Sequence, residues 1–265
     1  MNWETLLKLG RFGDTKVRER KDQDDTRIGF EVDYDRIVFS SAFRSLQDKT
    51  QIIPFSQTDF VHTRLTHSLE VSVVGRSLGR MAGKNILQKY PDLKDYLGYQ
   101  INDFGAIVAA ASLAHDIGNP PFGHSGEKAI GHYFSHGNGS YFKNQLTDKQ
   151  YQDLCLFEGN ANGFKILSQS KPGTPGGLRL SYATLGAFIK YPKASLPYRP
   201  TSNVAHKKFG YFQAQEPFFK ELMTELNLND KKMVYRHPLA YLVEAADDIC
   251  YTIIDFEDGI HLGMD

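Results

Sequence analysis

The residues best suited to chemistry lie in Ala114-His115-Asp116-Ile117-Gly118-Asn119-Pro120-Pro121-Phe122-Gly123-His124-Ser125-Gly126-Glu127. An apolar run from Ala106 to Ala114 ends in an adjacent His and Asp. A Gly/Pro loop follows, then a second His with a Glu three residues on. Hydrophobic residues beside a His-Asp pair point to a buried metal site, because a catalytic divalent cation takes nitrogen and oxygen ligands and keeps positions open for water or substrate. Val108, Ala111 and His115 fall on one stripe of a helix, so the imidazole faces the core. The same pattern fits a buried His bonded to a backbone carbonyl, with Asp116 ending the helix.

Two distant segments bear on that choice. A long helical pattern opens at Thr63, with His67, Val71, Val74 and Leu78 on one face. Arg64 lies one turn before His67 on that face, placed either to clamp a phosphate oxygen or to make a surface salt bridge. Downstream, Tyr241 to Tyr251 reads as a helix that sets Asp247 and Asp248 inside an apolar stretch. Val243, Asp247, Tyr251 and Ile254 share a stripe, while Asp248 points about 100° away round the helix. A buried Asp is expensive without a cation or several donors. One metal shared by His67, His115, Asp116 and Asp247 is the economical reading. Two nitrogens and two oxygens leave about two positions of an octahedral ion open. Such an ion orients and acidifies a water and polarises a phosphoryl group. Thiolates are absent from the set, so a structural zinc is not expected; Mn²⁺, Mg²⁺ and Fe²⁺ all suit it. His124 and Glu127 sit three apart where a helix begins, so their side chains can meet. The carboxylate then fixes the imidazole tautomer, and His124 serves as a general acid. The alternative has Glu127 favouring the helix N-terminus through the dipole, with His124 merely exposed.

These side chains need helices to carry them. The spacing predicts helices near residues 3–9, 34–45, 63–90, 102–116, 126–135, 149–167, 181–190, 215–226 and 237–260, an all-α fold. Gln51-Ile52-Ile53-Pro54-Phe55 suits a short strand. Turns at 171–177 and 191–200 leave room for one small β-hairpin with Leu178-Arg179-Leu180. Residues 16–27 are highly charged and read as a solvated, mobile arm. The 265 residues are 41% hydrophobic with a formal net charge of zero. That supports one substantial core and gives no global argument for nucleic-acid or membrane binding. No apolar run approaches the ~20 residues of a membrane span, and the N-terminus lacks the apolar stretch of a signal peptide. Cys155 and Cys250 match neither a disulfide framework nor a zinc spacing, as expected of a chain in a reducing cytoplasm.

His67, His115-Asp116 and Asp247 match the H…HD…D signature of the HD-domain metal phosphohydrolases. Phe39 to Gln51, Arg64 to Val71, His115 to Glu127, Phe157 to Ala161 and Glu244 to Ile249 together resemble, in order and over nearly the whole chain, the deoxyguanosinetriphosphate triphosphohydrolase (dGTPase) family. The resemblance implies a single HD-type catalytic domain over residues 1–265, in proteins that usually continue beyond this point, so a C-terminal truncation is expected. It implies hydrolysis of dNTPs to deoxynucleoside and inorganic triphosphate with one divalent ion. A homo-oligomer and a nucleotide or single-stranded DNA effector are further implications. By matching strings it assigns Gln51, Asn160, Lys190 and Tyr191 to substrate binding, with Arg64. It places Tyr251 under the sugar and Asp255 at the 3′-hydroxyl, where the stripe alone also allows a core Tyr and a capped Asp. A tyrosine wall would exclude a 2′-hydroxyl. The competing functions are an HD phosphohydrolase acting on a nucleoside monophosphate or a (p)ppGpp-type nucleotide, and a non-catalytic nucleotide sensor.

Overall fold

The computed structural model describes residues 1–265 except 25, 55–60, 171, 174, 198–202, 231, 232, 262, 264 and 265, and except the side chains of Asp255 and His261. Among the described residues the helices are α1 (Trp3–Leu6), α2 (Gly29–Val38), α3 (Ser41–Arg44), α4 (Arg64–Lys89), α5 (Asp92–Asp95), α6 (Ile101–Ala114), α7 (Gly123–Ser135), α8 (Asp148–Cys155), α9 (Gly159–Ser168), α10 (Tyr182–Phe188), α11 (Glu216–Glu225) and α12 (Ala240–His261). The fold is all-α. The expected hairpin is not formed: the described residues hold only isolated bridges, Arg11 with Ser181, Thr50 with Thr63 and Asn229 with Val234. Residues 51–54 form bends and a turn rather than a strand, and Phe55 lies outside the described residues.

α6 is the centre. Phe104, Ile107, Val108, Ala110, Ala111 and Leu113 are fully buried, so the helix is apolar around its whole circumference, as a helix enclosed on all sides must be. α2, α4, α10 and α12 pack round it. α4 lies along α6 in the opposite direction, and its contact face is made of small residues. Gly83 faces Phe104, Gly79 faces Phe104 and Gly105, and Gly75 faces Val108 and Ser112. A Cβ on Gly79 would sit 2.6 Å from the Phe104 carbonyl oxygen, so the two backbones touch almost directly. Continuing this register two turns back from Gly75 brings His67 level with the residues just past the end of α6.

Helix ends explain where the sequence pattern broke. The single helix expected at 34–45 divides because the Ser40 hydroxyl accepts from Phe43 N at 3.1 Å and caps α3. The one expected at 149–167 divides at Glu158, whose backbone is extended. Within 16–27 the charge is not all solvated: Arg20 is buried and pairs with Asp103 at 2.9 Å; just before that segment, buried Arg11 pairs with Asp33 at 2.5 Å. Cys155 and Cys250 are free thiols. No helix of the described residues is long and apolar enough to cross a membrane.

Candidate metal centre

Three local devices set the ligand residues. Thr63 and Thr66 form a reciprocal cap, Thr66 N donating to Thr63 Oγ1 at 3.3 Å and Thr63 N to Thr66 Oγ1 at 3.0 Å. This starts α4 so that His67 falls on its first turn, facing inward. α6 stops at Ala114, and His115 Nδ1 donates to the Ser112 carbonyl at 2.7 Å. That bond fixes the tautomer and leaves Nε2 free to act as a ligand. The chain then turns through Gly118. A Cβ at Gly118 would lie 2.1 Å from both Gly159 O and Gly163 N, so α9 packs on the bare backbone of this loop. Lys49 Nζ bonds the Asn119 carbonyl at 2.7 Å and Asn162 Nδ2 the Gly118 carbonyl at 2.9 Å, pinning the turn from two sides.

His67 Nε2 lies 3.1 Å from Asp247 Oδ1, across 180 positions of sequence. His115 Nε2 lies 3.5 Å from the same oxygen and 3.4 Å from Asp116 Oδ1. One ligand atom each from His67, His115 and Asp116 falls within a 4.8 Å spread, the dimension of a group that can hold a metal ion. Asp248, as its angle round the helix required, is exposed and outside the cluster. Asp116 is held at both oxygens, Oδ2 by Arg64 Nη1 at 2.6 Å and Oδ1 by Asn119 Nδ2 at 2.5 Å. Arg64 is buried, which removes the surface salt-bridge reading, and its Nη1 is spent on Asp116. Its path needs Gly123, where a Cβ would stand 2.7 Å from Arg64 Nη2 and where φ is +51°.

Electrostatics favour a cation here. Burial opposes charge on His115, but the Asp116 and Asp247 carboxylates outweigh it and raise its pKa to about 9. Burial likewise opposes ionisation of Asp247, yet His115 and His67 hold its carboxyl well below the usual carboxylate range. Two imidazoles and two carboxylates, with no thiolate and with no lysine bonded among them, fit a divalent ion that prefers nitrogen and oxygen. His67 Nδ1 is buried without a partner, so no hydrogen bond competes to turn the ring away.

A cavity of about 260 Å³ opens over the cluster, lined by His115, Asp116, Asp247, Asn119, His124, Asn160, Lys190, Tyr191, Lys207, Lys208 and Glu244 among others. His124 stands on its rim, with its side chain 77% exposed and Nδ1 bonded to Glu127 Oε2 at 2.9 Å. Glu127 is buried, and its other oxygen accepts from Gly159 N at 2.7 Å. Glu127 therefore both orients His124 and accepts from the first N–H of α9, a different helix from the one whose N-terminus the sequence alternative assigned to this carboxylate. Phe122, just before His124, is held at φ +64°, a left-handed conformation uncommon for an aromatic residue.

The remaining expected substrate residues divide. Asn160, Lys190 and Tyr191 line the cavity. Gln51 does not, although its Oε1 is buried without a hydrogen bond. Tyr251 is 52% exposed and outside the lining, so it is not the core tyrosine its stripe allowed. The Asp255 side chain lies outside the described residues. Several cavity residues escaped sequence reasoning. Lys208 Nζ sits 2.9 Å from Glu158 Oε1 and 3.8 Å from Glu127 Oε2. Burial, with the Glu127 charge adding to it, raises the Glu158 pKa against the pull of Lys208. Glu158 lies inside the Phe157-Glu158-Gly159-Asn160 string and was within reach; Lys208 carries no local signal.

Residues 64–154, which contain every one of these ligands except Asp247, match the HD domain family. The chain belongs to the HD-domain family. It is 46% identical over its whole length to a deoxyguanosinetriphosphate triphosphohydrolase-like protein of Pseudomonas aeruginosa (strain LESB58), covering 58% of that protein. To a protein of the same description from Synechocystis sp. it is 46% identical, over 99% of this chain and 61% of the relative. A deoxyguanosinetriphosphate triphosphohydrolase of Yersinia pestis (strain Pestoides F) is 39% identical over 89% of this chain and 50% of its own length. The chain thus spans between half and about three fifths of the curated relatives it matches.

Proposed function

We propose that residues 1–265 form a single HD-type catalytic domain that hydrolyses deoxynucleoside triphosphates to deoxynucleoside and inorganic triphosphate with one divalent ion. The observation that carries this reading is the meeting of His67, His115 and Asp247 within 3.5 Å contacts at the foot of a cavity that also holds His124. His67, His115, Asp116 and Asp247 would hold Mn²⁺, Mg²⁺ or Fe²⁺. Such an ion supplies an oriented, acidified water and neutralises phosphoryl charge.

The chain's own residues do the rest. Lys190, Lys207 and Lys208 give one wall of the cavity a positive field suited to a polyanion. Asn160 and Tyr191 stand beside them. Attack of water at the α-phosphorus breaks the bond to the nucleoside 5′-oxygen, a poor leaving group that needs a proton. With Nδ1 bonded to Glu127, His124 presents Nε2 to the solvent side of the cavity and donates that proton. Arg64 and Asn119 keep Asp116 from rotating, so the ligand set is preorganised. A cavity of about 260 Å³ is smaller than those that enclose a whole drug-sized ligand. The phosphates occupy it, and the nucleoside extends along α12 toward exposed Tyr251 and on to Asp255, with Gln51 closing the far side. Assembly into a homo-oligomer and activation by a nucleotide or single-stranded DNA belong to the same reading.

Incubating the protein with each dNTP and Mn²⁺ and separating the products by ion-exchange chromatography tests it. Inorganic triphosphate and a deoxynucleoside are expected. Pyrophosphate or orthophosphate, or turnover of a nucleoside monophosphate or (p)ppGpp instead, would replace the assignment; binding without turnover would make the chain a sensor.

A further inference from the structure

Lys190 enters the cavity just beyond the end of α10, and its ammonium is already engaged. Glu244 Oε1 lies 3.2 Å from Lys190 Nζ. The other oxygen, Oε2, accepts from Arg236 Nη1 at 2.8 Å. Arg236 Nε then donates to the backbone carbonyl of Lys190 at 2.5 Å. The three residues close a ring that grips Lys190 at both its backbone and its side-chain end. Arg236 cannot swing: its side chain is 2% exposed, and its guanidinium carbon lies 5.6 Å from the Tyr191 ring centre and 5.2 Å from that of Tyr241. Glu244 sits one turn before Asp247 on α12 and lines the same cavity.

A carboxylate inside a cavity built for a polyanion opposes the ligand unless it does something else. An ammonium has three donors. With one given to Glu244, two remain to meet phosphate oxygens, and the long, flexible lysine stem no longer has to be ordered when the ligand arrives. We propose that Glu244, fixed by Arg236, is a positioning residue that aims Lys190 at the polyphosphate beside the metal centre. This rests on the reading of the substrate as a polyphosphate.

The test is a double-mutant cycle on the affinity for inorganic triphosphate in Mn²⁺, read by calorimetry for the wild type, Glu244→Gln, Lys190→Ala and the double variant. Glu244→Gln should weaken binding roughly tenfold, the size of one charge-assisted hydrogen bond lost. Lys190→Ala should weaken it at least as much, and the double variant should bind no more weakly than Lys190→Ala alone. Glu244→Asp keeps a charge against Arg236 but withdraws the oxygen from Lys190 by one methylene; it should reproduce the loss, which covers the case in which Glu244→Gln does not fold. Tighter binding by Glu244→Gln would mean that the carboxylate only repels the ligand. Unchanged binding, or losses that multiply in the double variant, would overturn the proposal equally. If the cycle holds but no dNTP is hydrolysed, the catalytic reading fails and the positioning stands. If dNTPs are hydrolysed and the losses multiply, the positioning alone fails. No triphosphate binding by the wild type overturns both.

Discussion

Removing divalent metal and raising the pH should loosen this fold, and restoring the metal should abolish that effect. In the metal-free cluster the carboxylates of Asp116 and Asp247 overcome the burial of His115 and lift its pKa from 6.5 to about 9. The low proton affinity of Asp247 is the same attraction seen from the other partner, so it counts once. A rise from 6.5 to about 9 corresponds to about 3 kcal/mol. The sign follows from the proton's preference for the folded state. The contribution is fully present below 6.5, the value in the unfolded chain, and is lost as pH climbs through about 9. At about 2–4 °C per kcal/mol for a chain of this size, the metal-free melting temperature should fall by roughly 6–12 °C across that window. Asp247→Asn, which removes one of the two carboxylates, should cut the fall sharply. Differential scanning fluorimetry of chelator-treated protein measures it.

The same proton must leave when a metal binds, because a ligating imidazole is neutral. Mn²⁺ binding near pH 7 should therefore release about one proton, visible as a dependence of the calorimetric heat on buffer ionisation enthalpy. With Mn²⁺ bound, the melting temperature should change little over the same pH range. A flat melting temperature without metal, together with no proton release on binding, would refute the electrostatic account of the cluster.

Four further outcomes are expected. His124→Ala should keep its metal, by elemental analysis, and lower kcat by roughly 10²–10⁴-fold, whereas His115→Ala should lose the metal; the reverse pattern would exchange their roles. Gly118→Ala forces a methyl to within 2.1 Å of α9 backbone atoms and should cost at least about 1–3 kcal/mol in urea unfolding; wild-type stability would mean the loop and α9 are not in contact. Burial disfavours charge on His62, but Asp258 at 2.8 Å and Glu70 at 3.1 Å raise its pKa. Its stabilising effect is thus present below pH 6.5 and fades as pH rises through the raised value, and His62→Gln should lower the melting temperature at pH 6 more than at pH 9. Tyr251→Ala should change stability by no more than about 0.5 kcal/mol, as for an exposed site, while narrowing the kcat/KM ratio of dGTP over GTP; an unchanged ratio would remove Tyr251 from the sugar site.

Much of the centre was legible because helical periodicity identifies faces. His67, His115 and Asp247 each sat on an apolar stripe, and each proved to face the cluster, while Asp248 fell off the stripe and is exposed. Periodicity failed where a helix does not face the core along its full length. Tyr251 continues the Asp247 stripe, yet it is exposed while Ile254 on the same stripe is buried with Val71, Ala246 and Cys250, so the buried face of α12 runs through Cys250 and Ile254 and passes Tyr251 by. The residues that hold the ligands were illegible for a different reason. Asn119 bonds the Asp116 side chain and Ser112 offers only its backbone carbonyl to His115, while Lys208 reaches Glu158 across 50 positions; none of these contacts leaves a periodic trace. Arg64 read equally well as a phosphate clamp or a surface ion pair; burial, which no spacing reports, turned it toward Asp116.

Faces alone do not make a metal centre, since first-contact distances must agree to within about 0.2 Å. Register supplies that precision, and in this fold the register comes from glycine. Gly75, Gly79 and Gly83 recur every four residues along α4 and let it rest on the backbone of α6. A single Cβ at Gly79 meets Phe104 O at 2.6 Å, about 1 Å inside ordinary contact, and the carbonyl of a fully buried residue within α6 cannot give way. The helices would have to separate or slide. His67 stands three turns up α4 from that point, and His115 the same distance along α6, so any separation opens the gap between the two imidazoles. The small-residue face that lowers the hydrophobic signal of α4 in the sequence is therefore the feature that makes its His67 usable as a ligand.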